Sequence, residues 1–143
     1  MIVLALETAT LAGSVALVDA GDGETGRRII GENTLSNPET HSARLMPGID
    51  RLLKEASLTI RDIGGIAVSI GPGSFTGLRI GVATAKGLAY ALGIPVAGVP
   101  TLDALAATRP FSPDPVCPVL DARKKEVYAA LFRCNGAGGL EKT

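Results

Sequence analysis

Gly65-Ile66-Ala67-Val68-Ser69-Ile70-Gly71-Pro72-Gly73-Ser74-Phe75-Thr76-Gly77-Leu78-Arg79-Ile80-Gly81 reads as a buried strand, a glycine turn and the opening of a helix. A turn of this kind gathers backbone N–H groups and the positive end of the helix at one point, so Gly71, Gly73 and Ser74 form a candidate anion cradle. The spacing follows neither the G-x-G-x-x-G order nor the G-K-[ST] ending of a phosphate loop. A tight turn that lets the helix approach the sheet closely explains the same glycines, and both readings stand at this point.

Ser74 is a suitable N-cap, and Gly93 with Pro95 ends the helix near Leu92. From Thr76 onward this helix carries only Arg79 and Lys86 as charges. Gly77, Gly81 and Ala85 recur at four-residue spacing, and so do Ala83, Gly87 and Ala91. Mid-helix glycine costs about 1 kcal/mol relative to alanine, so close packing should compensate. Two faces made for close approach imply two neighbours: the sheet, and either another helix of the chain or another subunit.

Upstream, Met1 to Leu6, Gly13 to Asp19 and Arg27 to Leu35 read as three consecutive strands. A helix follows from Thr40 to Ala56, with Leu45, Ile49, Leu52, Leu53 and Ala56 on one stripe. Pro47-Gly48 should kink it or mark its true start. Thr59 and Asp62 suggest a short capped turn. Pro95 to Val99 gives a fifth strand, and Thr101 caps a helix from Leu102 to about Ala107. The order is β-β-β-α-β-α-β-α, an α/β arrangement that a pure βαβ alternation cannot produce.

Residues 110–118 hold Pro110, Pro113, Pro115 and Pro118 and read as a linker between a first domain, 1–109, and the start of a second, 119–143. Val116 to Leu120 and Val127 to Phe132 form a hairpin around Ala122 to Glu126, after which the sequence dissolves into Asn135-Gly136-Ala137-Gly138-Gly139. Arg123-Lys124-Lys125 is a solvated turn before it is a nucleic-acid contact.

Composition narrows the function. The 143 residues balance 14 Lys+Arg against 14 Asp+Glu, so the chain is no main phosphate-gripping nucleic-acid module. No apolar run approaches the roughly 20 residues of a membrane span, and no signal peptide is evident, so a cytoplasmic protein is expected. Cys117 and Cys134 are too few for a disulfide framework and read as free, partly buried thiols. His41 is the sole histidine, which excludes a histidine-paired metal site, and its place beside Thr40 and Ser42 suits a helix terminus. Ser14, Ser69 and Ser74 lack a base and orienting acid. Glu7 and Thr8, in the turn Glu7-Thr8-Ala9-Thr10, could face a ligand phosphate; a carboxylate held by the turn itself is the other reading.

Glu7-Thr8-Ala9-Thr10, His41-Ser42 with Leu45 and Pro47, the run Gly71 to Gly81, Ala83 to Gly87, Ile94-Pro95-Val96 and Asp121-Ala122-Arg123 together resemble the TsaB (YeaZ) family. The resemblance covers Met1 to about Phe132. It implies an actin-like, Hsp70-type (ribonuclease H-like) fold followed by the opening hairpin of a second such domain. It also implies a part in making N6-threonylcarbamoyladenosine at adenosine 37 of certain tRNAs. The related catalytic subunit TsaD holds a metal through an H-x-E-x-H helix, whose counterpart here is Thr101-Leu102-Asp103-Ala104-Leu105, without either imidazole. The implied role is therefore a non-catalytic partner with no metal, no cofactor and no peptidase activity. It would pair with TsaD, work with the ATPase TsaE, meet tRNA only through the complex and form homodimers as an alternative. The first two long helices supply the expected interface, at Leu45, Ile49, Leu78, Gly81, Val82, Ala85 and Ala89. A bulky charge at Gly81 should then abolish association and leave the monomer folded. The competing reading is a stand-alone actin-like nucleotide-binding enzyme, a small kinase or ATPase.

Overall fold

The computed structural model describes residues 1–21, 26–35, 41–135 and 139–143. The tip of the Gly21 to Gly26 turn, the approach to the first helix through Thr40, the side chains of His41 and Ser42, and Gly136 to Gly138 lie outside the described residues.

Strands β1 (Ile2–Glu7), β2 (Gly13–Asp19) and β3 (Arg28–Leu35) form an antiparallel unit. Helix α1 (His41–Glu55) leads to β4 (Ile63–Ser69), which adds parallel to β1. Helix α2 (Phe75–Leu92) then leads to β5 (Val96–Val99), parallel to β4. The five strands lie in the order β3-β2-β1-β4-β5. Alternation with period two sends Leu4, Leu6, Val15, Leu17, Ile66 and Val68 to one face, where Leu45, Ile49, Leu52 and Leu53 of α1 and Ala85 and Ala89 of α2 complete the core.

Pro47 neither starts nor ends α1 but sits inside it. Its missing N–H removes one helical bond, yet the stripe from Leu45 to Leu53 is buried continuously across it. Tertiary burial carries most of the stability of a helix this length and outweighs the local defect. Thr101 is the first residue of α3 (Thr101–Ala106), not its cap; Pro100 holds the N-cap position and makes no side-chain bond.

The last third departs from the expected hairpin. Strand β6 (Val119–Arg123) pairs with β7 (Glu126–Ala129), and Val116 makes only an isolated bridge to Phe132. Pro115 and Pro118 have no N–H to donate, so a ladder cannot run through Val116. The expected strand Val127 to Phe132 breaks after Ala129, and only its last residue, Phe132, enters a separate β8 (Phe132–Cys134). Beyond it, where no structure was expected, β9 (Leu140–Lys142) pairs with β8. Leu102 and Ala106 of α3 join Phe132 in a second small cluster. Cys117 is exposed rather than partly buried, although its neighbour Val116 packs on that cluster; Cys134 is half-buried, and its thiol donates to the Pro110 carbonyl at 2.6 Å. No helix among the described residues is long and apolar enough to cross a membrane.

Two surface carboxylates hold local structure. Asp62 Oδ2 accepts the Thr59 N–H and the Thr59 hydroxyl, each at 2.7 Å, which sets the turn before β4. The backbone bond first and the hydroxyl second hold its carboxyl below the ordinary value. Asp19 is lowered likewise, first by the Gly21 N–H and then by the N-terminal amine. A folded-state pKa below the unfolded one contributes stability above the ordinary carboxylate pKa, about 3.9, and loses it as pH falls through the folded value. The acid limb of the stability curve, followed by urea unfolding from pH 6 downward, should therefore flatten in Asp62→Ala, which would also be less stable at neutral pH.

Candidate functional site

The turn after β1 and the start of α2 are built as one unit. Glu7 Oε1 accepts the N–H groups of Ala9 at 2.6 Å and Thr10 at 3.2 Å, and Oε2 accepts the Thr10 hydroxyl at 2.8 Å. The carboxylate is thus committed to its own turn. Thr8 is completely buried, and its hydroxyl, which has no partner among the described residues, lies against Gly81 rather than in an open site. The Ala9 carbonyl accepts the Ser74 N–H at 2.7 Å, clamping the turn to the helix entrance.

The glycines are explained by this contact. A Cβ on Gly73 would strike the Ala9 carbonyl, one on Gly77 the Thr8 carbonyl, and one on Gly81 the Thr8 hydroxyl. Ser74 caps α2 as its type suggests, accepting the Gly77 N–H at 3.3 Å. Gly71 has φ 104°, and its carbonyl accepts the Thr101 N–H at 2.9 Å, tying the turn to α3.

A cleft of about 880 Å3 opens between the β1–β2 turn, Gly73 to Thr76, and the β6–β7 hairpin, with Leu11, Phe75, Tyr128 and Arg123 on its walls. The hairpin turn is tight, with Arg123, Lys124 and Lys125 all at positive φ and the Arg123 N–H donating to Asp121 Oδ1 at 2.7 Å. The cleft brings together Gly73, Ser74 and Arg123, but neither Glu7 nor Thr8 lines it. In α3, Thr101 and Leu102 are buried and Leu105 packs into the second cluster, a donor set that does not fit a metal.

The expected interface residues belong mostly to the chain's own core. Leu45 and Ile49 are each 1% exposed, Gly81, Ala85 and Ala89 are buried, and Leu78 and Val82 are half-buried. The stripe Gly77, Gly81, Ala85 faces Thr8 and the sheet, while Ala83, Gly87 and Ala91 face outward. One of the two small-residue stripes is packed within the chain; the other lies exposed. Its large residues went unassigned in the sequence: Phe75 and Tyr90 stand 74% and 92% exposed, and the Arg79 guanidinium lies 5.4 Å from the Phe75 ring centroid. Their spacing along the Ala83 stripe was the available signal.

A family model described as "TsaD: tRNA N6-adenosine threonylcarbamoyltransferase" matches residues 28–138. Two relatives carry the name tRNA threonylcarbamoyladenosine biosynthesis protein TsaB. The Bacillus subtilis protein is 35% identical over 133 residues, 93% of this chain and 56% of its own length. That of Escherichia coli is 37% identical over 140 residues, 96% of this chain and 58% of its own. The solved structure of YeaZ from Pseudomonas aeruginosa superposes with a TM-score of 0.85 at 35% identity, covering 99% of this chain and 64% of that one. The chain belongs to the TsaB (YeaZ) family. Its α/β sheet with the order found here is the actin-like, ribonuclease H-like fold. The match spans somewhat under two thirds of the TsaB relatives' own length.

The packing in this TsaB-family chain separates two glycines of one helix. Gly81→Ala forces a methyl into Thr8 and should lower stability by about 1–3 kcal/mol. Gly87→Ala meets nothing within 4 Å and should raise it by about 0.5–1 kcal/mol. Thermal or urea unfolding of the two variants reads both signs. A bulky charge at Gly81 should unfold the chain rather than merely dissociate it, which replaces the expectation of a folded monomer.

Proposed function

We propose that this chain is a non-catalytic supporting subunit of the bacterial machinery that adds a threonylcarbamoyl group to adenosine 37 of tRNA. The outward face of α2 is its contact with a catalytic TsaD-type subunit. The observation that carries this reading is that face itself: Phe75, Ala83 and Tyr90 are exposed on a helix whose opposite side is already filled. Large aromatic side chains exposed at both ends of one helix face, with Ala83 between them and the charges of Arg79 and Lys86 alongside, favour a protein partner. Helix α1 packs beside α2 and also exposes a large apolar side chain, Met46. Names borne by relatives at 35–37% identity support the same pathway.

A supporting rather than chemical role follows from what the site offers. Glu7 is held by three hydrogen bonds, and the counterpart of the H-x-E-x-H helix is packed with buried Thr101 and Leu102. The chain needs no metal or cofactor of its own, a TsaE-type ATPase and tRNA meet it through the complex in the cytoplasm, and a second copy competes for the same helix face. Residues 1–109 serve as the actin-like unit, 110–118 as the connection and 119–143 as the opening of a second unit.

The cleft favours a second reading, a stand-alone nucleotide-binding enzyme with Gly71, Gly73 and Ser74 as its phosphate cradle. Light scattering of the chain mixed with a TsaD-type subunit separates the two. Tyr90→Asp should weaken the heterodimer at least tenfold with an unchanged melting temperature. Association indifferent to Tyr90→Asp and Phe75→Asp, together with ATP turnover by the chain alone, would replace the first reading with the second.

A further inference from the structure

The exposed stripe of α2 reads nearly the same from either end. Phe75, Arg79, Ala83, Lys86 and Tyr90 all stand exposed, with a cation and then an aromatic on each side of a small centre. Arg79 and Lys86 are two turns apart, about 10 Å along the axis. Ala83 and Gly87 let the backbone of another helix come close. In shape, this pattern suits a second copy of the chain. Two α2 helices packed antiparallel about Ala83 would bring Phe75 of each towards Tyr90 of the other.

Charge argues the other way. In that pairing Arg79 of each copy meets Lys86 of the other, and α2 carries no acidic residue to answer them. Neither cation has an ion-pair partner among the described residues. Helix α1 offers no relief: Asp50 and Glu55 are engaged by Lys54 and Arg51, each at 2.7 Å, and Arg44 is a further cation. The two helices together hold five Lys and Arg against two carboxylates, in a chain whose charges balance overall. We infer that Arg79 and Lys86 select the partner of this face. They favour a helix that presents carboxylates at the two matching positions, with small residues between, and put a competing second copy at a disadvantage. Like charges set opposite each other suppress the wrong pairing, and the same cations opposite carboxylates support the right one. The inference rests on the reading of the α2 face as the contact with a TsaD-type subunit. RNA is the weaker occupant, because the small-residue stripe between the cations fits a close helix backbone and the chain has no positive excess.

Sedimentation velocity of the chain, alone and with the TsaD-type subunit, tests this at about 50 and about 300 mM salt. Arg79→Glu and Lys86→Glu each make the antiparallel pair complementary. Each single variant should therefore self-associate about tenfold more tightly than the wild type at the lower salt, whereas the double variant, with acid facing acid, should not. Each single variant should also bind the TsaD-type subunit about fivefold more weakly, and the double variant more weakly still. These differences should shrink at the higher salt, and melting temperatures should match the wild type. A heterodimer that Tyr90→Asp disrupts but both charge swaps leave intact would overturn this inference alone. A wild-type chain that never joins the TsaD-type subunit would remove the reading beneath it as well. Single variants that self-associate no better than the double variant would also overturn the inference. So would loss of tRNA binding in the single variants with heterodimer formation unchanged, which would assign the cations to RNA.

Discussion

Everything near the cleft depends on how closely the turn after β1 approaches α2. The Thr8 carbonyl and hydroxyl occupy the space that side chains at 77 and 81 would take, and the Ala9 carbonyl holds the Ser74 N–H. This contact fixes the rotation of α2 about its axis. Each helical residue turns by about 100°, so once Gly77, Gly81, Ala85 and Ala89 face the sheet, Phe75, Arg79, Ala83 and Tyr90 have no choice but to face outward. A packing constraint inside the molecule thereby defines the surface it presents to others.

The same contact limits the chemistry. A turn pressed against a helix buries its backbone, and its polar groups must find partners locally. Glu7 supplies them, and in doing so its carboxylate is spent on Ala9 and Thr10. The cleft is left with hydroxyls, aromatic walls, Arg123 and Asp121, whose Oδ1 accepts the Arg123 backbone N–H. Such a lining offers polar and aromatic contacts to whatever enters the cleft.

Much of the first five strands was legible because two signals agree there: apolar runs with the right period, and glycine or proline at their ends. The N-cap at Ser74 and the Thr59 to Asp62 turn were legible for the same local reason. Which face of α2 is exposed was not legible, because Gly77-Gly81-Ala85 and Ala83-Gly87-Ala91 are equivalent as patterns. Only the position of Thr8, nearly seventy residues upstream, distinguishes them. Sequence periodicity can show that a helix has two close-packing faces; a long-range contact decides which is already taken. Strand β9 escaped for a related reason, since Leu140 to Lys142 has little propensity of its own and is a strand through pairing with β8.

The C-terminal third shows what such pairing must overcome. A two-stranded ribbon is marginal in water, and β6 and β7 leave Val119 and Val127 exposed, so they cannot stand on their own burial. Phe132 changes the balance. It is buried against Leu102 and Ala106, and its backbone pairs with Val116 in the proline-rich stretch. The segment from Arg109 to Pro118 is therefore not a free tether: Val116 helps to seat Phe132, the buried side chain that docks these strands on α3 with Leu120 and Leu140 packed around it. Proline excludes a continuous ladder, confines the pairing to Val116 and so sets where the hairpin can lie. That placement brings Arg123 and Tyr128 over the cleft, and makes α3, rather than the central sheet, the support on which the far wall rests.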